Sequence, residues 1–366
     1  MNPLKKSNPN QTINLDRMET VPSIDSTAMI GRISDFHSQC SSAWIQSNNI
    51  ELPTQHSKCN HIAIVGMGGS AISGNLLKDL FQDQSSVPIS VIRNPRLPKW
   101  VNEDTLVIAS SYSGNTKETL TAFDQAIKRG CRVISSTSGG TLLERSKALN
   151  LPLLLIDFAG EPRSAIGYGF LNLVSIVSTL GFIPNQHAFV ASAIEQMKIN
   201  HGNWHHQVLS KYNYAKKLAM RIGYNLPIII GYEIFESVAR RWKTQFNENS
   251  KTLAIWEVIP EFLHNGVESF QSTPHCTPFP MVILLQPYSS ESQQGGPLMH
   301  LVEYLQAVHL PYELVSVHKE HNLSQVLSMV QLGDYVSYYL ALLKNIDPGP
   351  VSIIESIKSN QDNRIT

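Results

Sequence analysis

The sequence predicts an α/β protein built from two doubly wound units, each with a parallel sheet flanked by helices. Three observations predict it. Short apolar runs alternate with helix-length segments, loops rich in glycine and serine separate them, and the alternation restarts in the second half of the chain. The 366 residues suffice for about two ordinary domains with substantial cores.

The first unit follows a polar lead and an amphipathic helix predicted at about 25–47. A long apolar helix, Gly169–Leu180, closes this unit. We therefore divide the first half into a lead and helix at 1–50 and a first domain at 51–190. The predicted strands of that domain are, in chain order, "HIAIVGM", "PISVIR", "DTLVIAS", "CRVISST" and "LPLLLID".

The second unit repeats the strand–helix alternation of the first unit without repeating its amino-acid sequence. It is predicted to cover 210–366, with a joining segment near 185–215 and a proline-rich tail after a final long apolar helix. Its predicted strands are "LPIIIGY", "KTLAIWEVI", "PMVILLQP" and "YELVSVH". Its predicted helices are "EIFESVARRWKTQFNENS", "GPLMHLVEYLQAVH" and "QVLSMVQLGDYVSYYLALLKN".

Composition excludes several classes of function. The chain is 42% hydrophobic and 16% charged, which argues against extended disorder. Its 29 basic residues balance 29 acidic ones, so no overall field recruits nucleic acid or a membrane surface. The N-terminus lacks the apolar core of a signal peptide, and the longest apolar runs are too short to span a bilayer.

The cysteines and histidines indicate no metal site. Four widely separated cysteines form no C-x-x-C pair, which favours a reduced cytoplasmic protein over a disulfide framework or a zinc site. No group of His, Asp or Glu has metal-ligand spacing, and "WHH" at 204–206 is interpreted as an exposed helical segment.

Small polar residues collect where three predicted strands are followed by helices: "GGS" at 68–70, "SYSGNT" at 111–116 and "SSTSGG" at 135–140. Because strand-to-helix loops of a doubly wound sheet gather at one edge, these loops should line one crevice. Their backbone amides and hydroxyls, without a lysine or arginine, suit a single phosphate monoester. The absence of a P-loop lysine argues against a nucleoside triphosphate. Helix capping is the alternative use of the same hydroxyls.

The first loop also allows a different interpretation. "GMGGSA" satisfies the G-x-G-x-x-A dinucleotide fingerprint, and the second strand ends at Arg93, a candidate partner for the extra phosphate of NADP. An NADP-dependent oxidoreductase therefore stays open as an alternative.

Six motifs are spread along the chain in this order: "GMGGSA", "SYSGNTKETL", "EPRSAIGYGF", "RWKTQFNENSK", "IPEFLHN" and "DPGPVSIIESIK". Together they resemble the motifs of bifunctional phosphoglucose/phosphomannose isomerases, a family of the sugar-isomerase (SIS) domain superfamily. The resemblance runs from about residue 15 to 358. It implies two SIS domains, a homodimer, no metal or nucleotide cofactor, and aldose–ketose isomerisation of hexose 6-phosphates.

The resemblance also implies roles for individual residues. The phosphate contacts fall on Gly69, Ser70, Ser111, Ser113 and Thr116. The chemistry falls on Arg163, Glu248, His264 and Lys358, with the histidine reaching the site from the partner subunit.

These residue types suit the chemistry independently. Moving a proton between C2 and C1 through a cis-enediol needs a carboxylate base such as Glu248. The negative charge of the enediolate needs a fixed cation such as Arg163. Opening the cyclic sugar needs a proton shuttle, for which His264 and Lys358 are both candidates.

Each of these side chains has a structural alternative. Glu248 can be a solvated carboxylate at a helix end, although its neighbours Asn247 and Asn249 disfavour a helix interior. Arg163 can cap the turn after a proline, His264 is one of 13 histidines, and Lys358 can be a surface charge on an amphipathic helix.

The chain departs from the family pattern at two places. Gly349 stands where a "DPTP" turn would have a threonine, which puts the acceptance of both C2 epimers in question. The "HNGVES" run also differs from the acidic-then-aliphatic run expected after the His-Asn pair. We expect an enzyme that interconverts glucose 6-phosphate, and also mannose 6-phosphate, with fructose 6-phosphate. A non-catalytic SIS-type sensor of a sugar phosphate is the second alternative.

Overall fold

The protein folds into two parallel sheets flanked by helices, as the sequence predicts. The computed structural model describes residues 13–17, 20–288, 296–317 and 321–362. Within these ranges one sheet has five strands and the other has four. Apolar strands are buried on both faces because helices cover both sides of a parallel sheet.

The first sheet positions the glycine- and serine-rich loops. Its strands are β1 (His61–Val65), β2 (Ile89–Ile92), β3 (Thr105–Ser110), β4 (Arg132–Thr137) and β5 (Leu153–Leu155). They pair in the parallel order β2-β1-β3-β4-β5. The direction of winding reverses between β1 and β3, and such a switch point is where doubly wound sheets bind ligands.

The helices of the first half are mostly where periodicity predicts them. They are α1 (Thr20–Ile24), α2 (Met29–Ser34), α3 (Phe36–Asn48), α4 (Gly68–Phe81), α5 (Lys117–Lys128), α6 (Gly140–Ala148) and α7 (Ile166–Thr179). The single helix predicted at about 25–47 is wrong in two respects: α2 begins only at Met29, after a left-handed Ala28, and Asp35 separates α2 from α3. The Asp25 carboxylate accepts hydrogen bonds from the N–H groups of Met29 and Ile30, each at 2.9 Å, and so satisfies the first donors of α2.

The segment predicted to join the two units is largely helical. It contains α8 (His187–Trp204), and α9 (Tyr214–Ile222) follows. The sequence contained the pattern that predicts this helix, because the apolar residues that α8 buries recur at helical spacing: Val190, Ala193, Ile194 and Met197. The interpretation of 204–206 as an exposed helical segment is also wrong. Trp204 ends α8, and all three residues of "WHH" are half-buried.

The second sheet is also entirely parallel. Its strands are β6 (Leu226–Tyr232), β7 (Ile255–Ile259), β8 (Pro280–Gln286) and β9 (Tyr312–Ser316), paired in the order β7-β6-β8-β9. Its helices are α10 (Glu236–Glu248), α11 (Pro297–Ala307), α12 (Asn322–Leu343) and α13 (Ser352–Asp362). The tail predicted as proline-rich therefore contains a helix after the prolines. Strand β7 lies at the sheet edge and is only partly buried.

Helix α12 lies at the centre of the molecule. One continuous apolar cluster runs from β1 through α7, α8 and α10 to α12, so the two sheets share a core. Helix α12 is long and apolar enough to cross a membrane, with a mean hydropathy of 1.2, but that stretch is 100% buried inside the fold. Its apolar character therefore reflects its place in the core.

Candidate active site

Three loops meet at the carboxyl edge of the first sheet, after the neighbouring strands β1, β3 and β4. The Ser111 N–H donates to the carbonyl of Ser136 at 3.0 Å, which ties the second loop to the third. Gly114 has φ +66°, and any Cβ there would overlap the carbonyl oxygen of Gly139. A glycine is therefore required where these two loops touch.

The hydroxyls of the second loop do not cap the helix that follows it. Thr116 occupies the N-cap position of α5 but makes no side-chain cap bond. Its Oγ1 lies 3.0 Å from Oγ of Ser111, which is 3% exposed. Ser113 is exposed and accepts a long bond, 3.3 Å, from the Asn115 N–H. Helix capping is therefore wrong for Thr116, whose hydroxyl pairs with that of Ser111, while the Ser113 hydroxyl is exposed on the same loop.

The first loop lies against the segment that carries Arg163. Gly69 is in the first turn of α4, and a Cβ there would be 3.2 Å from the carbonyl oxygen of Pro162. Ser70 follows and is half-buried. Because Gly69 has no side chain, the loop after β1 can approach the backbone of Pro162 and Arg163 closely.

Arg163 is held rigidly by both halves of the chain. Its side chain is 6% exposed and leaves a short 3₁₀ turn, Pro162–Ser164, before α7. Nε donates to Oδ1 of Asn249 at 2.8 Å. Nη2 donates to the carbonyls of Pro348 and Gly349, also at 2.8 Å. Burial lowers the pKa of this guanidinium, and the nearby Glu248 opposes that shift.

Glu248 faces the remaining nitrogen of that guanidinium. It is the last residue of α10, its side chain is 31% exposed, and Oε2 lies 3.6 Å from Nη1 of Arg163. That separation allows electrostatic attraction but exceeds a normal hydrogen bond. The carboxylate is thus oriented by a cation while its lone pairs stay accessible.

A buried polar network fixes the helix that carries Glu248. Arg241 of α10 donates through Nη2 to both carboxylate oxygens of Asp334 on α12, each at 2.8 Å, and Gln245 donates to the same carboxylate at 2.8 Å. Asn249 donates to Oγ of Ser337 at 2.9 Å. Burial raises the pKa of Asp334, against the effect of Arg241. Asn249 therefore links Arg163 to the core of the second unit.

Residues that the sequence analysis did not single out complete the site. Lys251 donates to the carbonyls of Glu248 at 2.5 Å and Asn249 at 3.5 Å, closing the end of α10. Burial, followed by the charge of Arg163, lowers the pKa of Lys251 to about 8. Glu161 pairs with Arg32 at 2.6 Å. Lys251 lies in the "NENSK" motif and Glu161 in the "EPR" motif, so their place in these motifs could have identified both as site residues. Nothing in the sequence singles out Arg32.

His264 and Lys358 do not join this group within the chain. His264 ends a 3₁₀ turn, Glu261–His264, just after the edge strand β7, and its side chain is exposed. Lys358 is exposed on α13. Among the described residues, neither side chain forms a hydrogen bond or ion pair. The structure thus brings Arg163, Glu248 and the glycine- and serine-rich loops together. His264 and Lys358 lie apart from them.

Arg93 is not poised to receive a nucleotide phosphate. Its Nη2 donates to Oδ1 of Asn75 at 3.1 Å and lies 3.4 Å from the carbonyl oxygen of Ala71, so the guanidinium rests on helix α4. This contact gives Arg93 a structural role at the end of β2, so a bound dinucleotide is not needed to explain an arginine there.

Two parallel sheets of this topology, with hydroxyl-rich loops at the strand ends and a buried arginine facing a partly exposed glutamate beside them, are typical of phosphosugar proteins of the SIS type. The SIS domain family matches residues 56–154, and the family described as "Bacterial phospho-glucose isomerase C-terminal SIS domain" matches residues 211–360. The chain belongs to the bifunctional phosphoglucose/phosphomannose isomerase family.

One relative supports that membership directly, and two further proteins are similar in sequence or in fold. The bifunctional phosphoglucose/phosphomannose isomerase of Caldicellulosiruptor bescii is 32% identical over 88% of this chain and 95% of its own length. The D-glucosamine-6-phosphate 4-epimerase of Sulfolobus acidocaldarius is 28% identical over 82% of this chain and 89% of its own. A glucose-6-phosphate isomerase like protein from Thermus thermophilus shares the fold, with a TM-score of 0.62 at 18% identity, covering 95% of this chain and 99% of that one.

Proposed function

We propose that this protein is an aldose–ketose isomerase that interconverts glucose 6-phosphate and mannose 6-phosphate with fructose 6-phosphate. The observation that carries the proposal is the Arg163–Glu248 pair, held 3.6 Å apart beside a hydroxyl-rich loop cluster. One end of a sugar phosphate fits the loops, and its carbonyl end then lies near the pair.

In this proposal the loops hold the phosphate. The hydroxyls of Ser70, Ser111, Ser113 and Thr116 and the backbone at Gly69 donate to its oxygens, aided by the amino ends of α4 and α5. Phosphate binding is common to substrate and transition state, so it contributes mainly to affinity.

The proton transfer is assigned to Glu248. Its carboxylate takes the proton from C2 of the aldose, the electrons move into a cis-enediol, and the same proton returns to C1 of the ketose. Arg163 stabilises the negative charge that develops on the enediolate oxygen, and its three anchoring hydrogen bonds keep reorganisation small.

Ring opening is assigned to His264 of a second subunit in a homodimer, with Lys358 as a second candidate for the same step. Three features support a second subunit. The His264 side chain is exposed, and two apolar side chains near it are exposed as well, Ile255 at 39% in the edge strand β7 and Leu253 at 73% just before that strand. Helix α13, which carries Lys358, exposes Ile353, Ile354 and Ile357. Such apolar side chains are suited to burial between subunits.

The remaining expectations belong to the same proposal. The two SIS domains cover 51–190 and 210–366, preceded by the lead and helix at 1–50. The enzyme works in the cytoplasm with no metal or nucleotide cofactor and no nucleic-acid or membrane partner.

A coupled assay tests the proposal. Glucose 6-phosphate, mannose 6-phosphate and fructose 6-phosphate are supplied separately with EDTA present, and turnover of both aldoses is expected. Glucosamine 6-phosphate is included to detect 4-epimerisation. Tight binding without turnover would instead indicate a sensor, and a fluorescence response to NADPH would favour the oxidoreductase.

A further inference from the structure

Tyr112, which lies between two serines of the second loop, is bound through its backbone to the third loop and through its side chain to another segment. Its carbonyl oxygen accepts hydrogen bonds from the backbone N–H of Ser138 at 3.0 Å and from the Ser138 hydroxyl at 2.6 Å. Its own hydroxyl donates to the carbonyl of Phe158 at 2.7 Å and lies 3.2 Å from the carbonyl oxygen of Gly160. One residue thus joins two loops of the crevice to the chain at 158–160.

The segment that Tyr112 holds leads directly to Arg163. The N–H of Ile156 donates to strand β4 at 2.9 Å, and residues 157–161 then form no helix or strand before the 3₁₀ turn Pro162–Ser164. Backbone groups outside helices and strands need other hydrogen-bond partners to fix their place. The Tyr112 hydroxyl is such a partner for two carbonyls of this segment.

Tyr112 forms a stiff link. Burial raises the pKa of its phenol above the ordinary value, so the hydroxyl keeps its proton and remains a donor at neutral pH. A tyrosine side chain has few rotatable bonds, and this ring also packs against the apolar cluster that the two sheets share. The loops and the segment before Arg163 therefore cannot move apart without breaking this contact.

The two ends of the proposed site have different supports. The loops lie at the edge of the first sheet, whereas the guanidinium of Arg163 is bound to Asn249 and to the 348–349 turn of the second half. A sugar phosphate has a fixed reach between its phosphate and its carbons C1 and C2. Those carbons meet Glu248 only when the loops and Arg163 keep the matching separation, and a misplacement of about 1 Å can cost about a hundredfold in rate.

We infer that Tyr112 is a positioning residue that sets the separation between the loops that hold the phosphate and the Arg163–Glu248 pair that acts on the sugar. The inference rests on the proposed function. Tyr112 acts through the segment before Arg163 and not by contact with the reacting carbons. Its hydroxyl should therefore matter for a substrate that spans both ends of the site, and not for a phosphate ion that occupies the loops alone.

The test is Tyr112→Phe, which keeps the packed ring and removes the hydroxyl. With fructose 6-phosphate, kcat should fall by about three- to tenfold, the equivalent of one hydrogen bond. KM and the inhibition constant of inorganic phosphate should stay close to those of the wild type, because the loops are intact. Tyr339→Phe is the matched control, since it also removes a phenol that donates to a backbone carbonyl, that of Trp204 at the end of α8. It should lower Tm without changing kcat.

The outcomes separate this inference from the proposed function. Absence of hexose-phosphate turnover in the wild type would end both. With an active wild type, either of two results would overturn the role of Tyr112 and leave the isomerase standing. One is a lower Tm of Tyr112→Phe with an unchanged kcat, as expected of a hydrogen bond that only stabilises the fold. The other is a loss of phosphate inhibition in parallel with kcat, which would show that the variant has lost the loop itself.

Discussion

Arg163 shows how one side chain can connect distant parts of a chain. Three of its donor groups are used by Asn249, Pro348 and Gly349, and only Nη1 is left toward Glu248. A lysine has a single ammonium and cannot make these bonds in the same plane. The guanidinium is therefore suited to hold a fixed charge beside the carboxylate.

Replacing the proposed base should abolish most of the turnover. In Glu248→Gln the side chain keeps its size and loses its basicity, and we expect kcat to fall about a thousandfold, within the usual 10²–10⁴ for a positioned base. Steady-state rates with fructose 6-phosphate measure kcat, and isothermal titration checks that the sugar phosphate still binds. Glu195→Gln, on the exposed face of α8, is the matched control. Near-normal kcat in a folded Glu248→Gln protein would remove this residue from the mechanism.

The exposed loop hydroxyl should affect binding more than the chemical step. Ser113→Ala should raise KM by more than it lowers kcat, because the phosphate is bound similarly in the ground and transition states. Inorganic phosphate should compete with the substrate, and more weakly in the variant. Ser57→Ala, which removes an exposed hydroxyl from a distant 3₁₀ turn, controls for nonspecific effects. An unchanged KM together with a lower Tm would indicate a structural hydroxyl.

At the scale of elements, helix α10 is anchored at both ends by other parts of the molecule. At its carboxyl end Lys251 and Asn249 hold the turn after Glu248. At its amino end the N–H of Ser237 donates to Oδ2 of Asp79, which belongs to α4 of the first unit, at 2.8 Å. The helix that presents the proposed base is thus clamped between the two units.

The buried Asp79 should make stability depend on pH. Burial raises its pKa to about 6. Below the unfolded pKa, near 3.8, both states are protonated. As pH rises through the folded pKa, the folded state must ionise a buried carboxyl, and stability falls by about 3 kcal/mol in total.

Asp79→Asn removes this dependence while its amide oxygen can still accept from Ser237. Chemical denaturation between pH 4 and pH 8 should show the variant gaining stability relative to the wild type as pH rises, with a plateau above about pH 7. Asp83→Asn, at an exposed carboxylate just beyond α4, is the control. A difference between variant and wild type that stays constant over this range would contradict the assignment.

At the scale of the whole molecule, the shared core makes the two halves one rigid support for a site between them. Arg163 comes from the first half, and Glu248 and the 348–349 turn come from the second. His264 and Lys358, the two candidates for ring opening, lie apart from this site on exposed surfaces.

A subunit-mixing experiment tests whether His264 acts in trans. Inactive Glu248→Gln and His264→Ala proteins are mixed after reversible dissociation. In a mixed dimer one site combines both lesions, and the other combines an intact Glu248 with an intact His264. Random pairing makes about half of the dimers mixed, so about a quarter of wild-type activity should return.

Unmixed variants carried through the same dissociation serve as controls, and differently tagged subunits show that exchange has occurred. If His264 acts within its own subunit, every site keeps one lesion. Full exchange without any recovery of activity would therefore rule out the trans arrangement.

Much of the architecture could be predicted from local patterns. Apolar runs and glycine-rich loops correctly predicted nine strands within the described residues and the edge at which the hydroxyls gather. The start of α2 at Met29 and its separation from α3 at Asp35 were missed, because neither the left-handed Ala28 nor the turn at Asp35 alters the apolar spacing. Helix α8 was missed although its apolar spacing was present, because polar residues such as Gln196 and Asn200 dilute that stripe.

By itself, the sequence determined the parallel α/β architecture, the hydroxyl-rich phosphate-type loops and, through its motifs, the family. These depend on residues close together in the chain, where backbone geometry turns spacing into structure. Only the tertiary structure decided that Arg163 faces Glu248, that the 348–349 turn anchors it, and that Asn249 links it to α12. Such contacts join positions about 80 to 190 residues apart, and they form because buried polar groups must find hydrogen-bond partners in a close-packed interior.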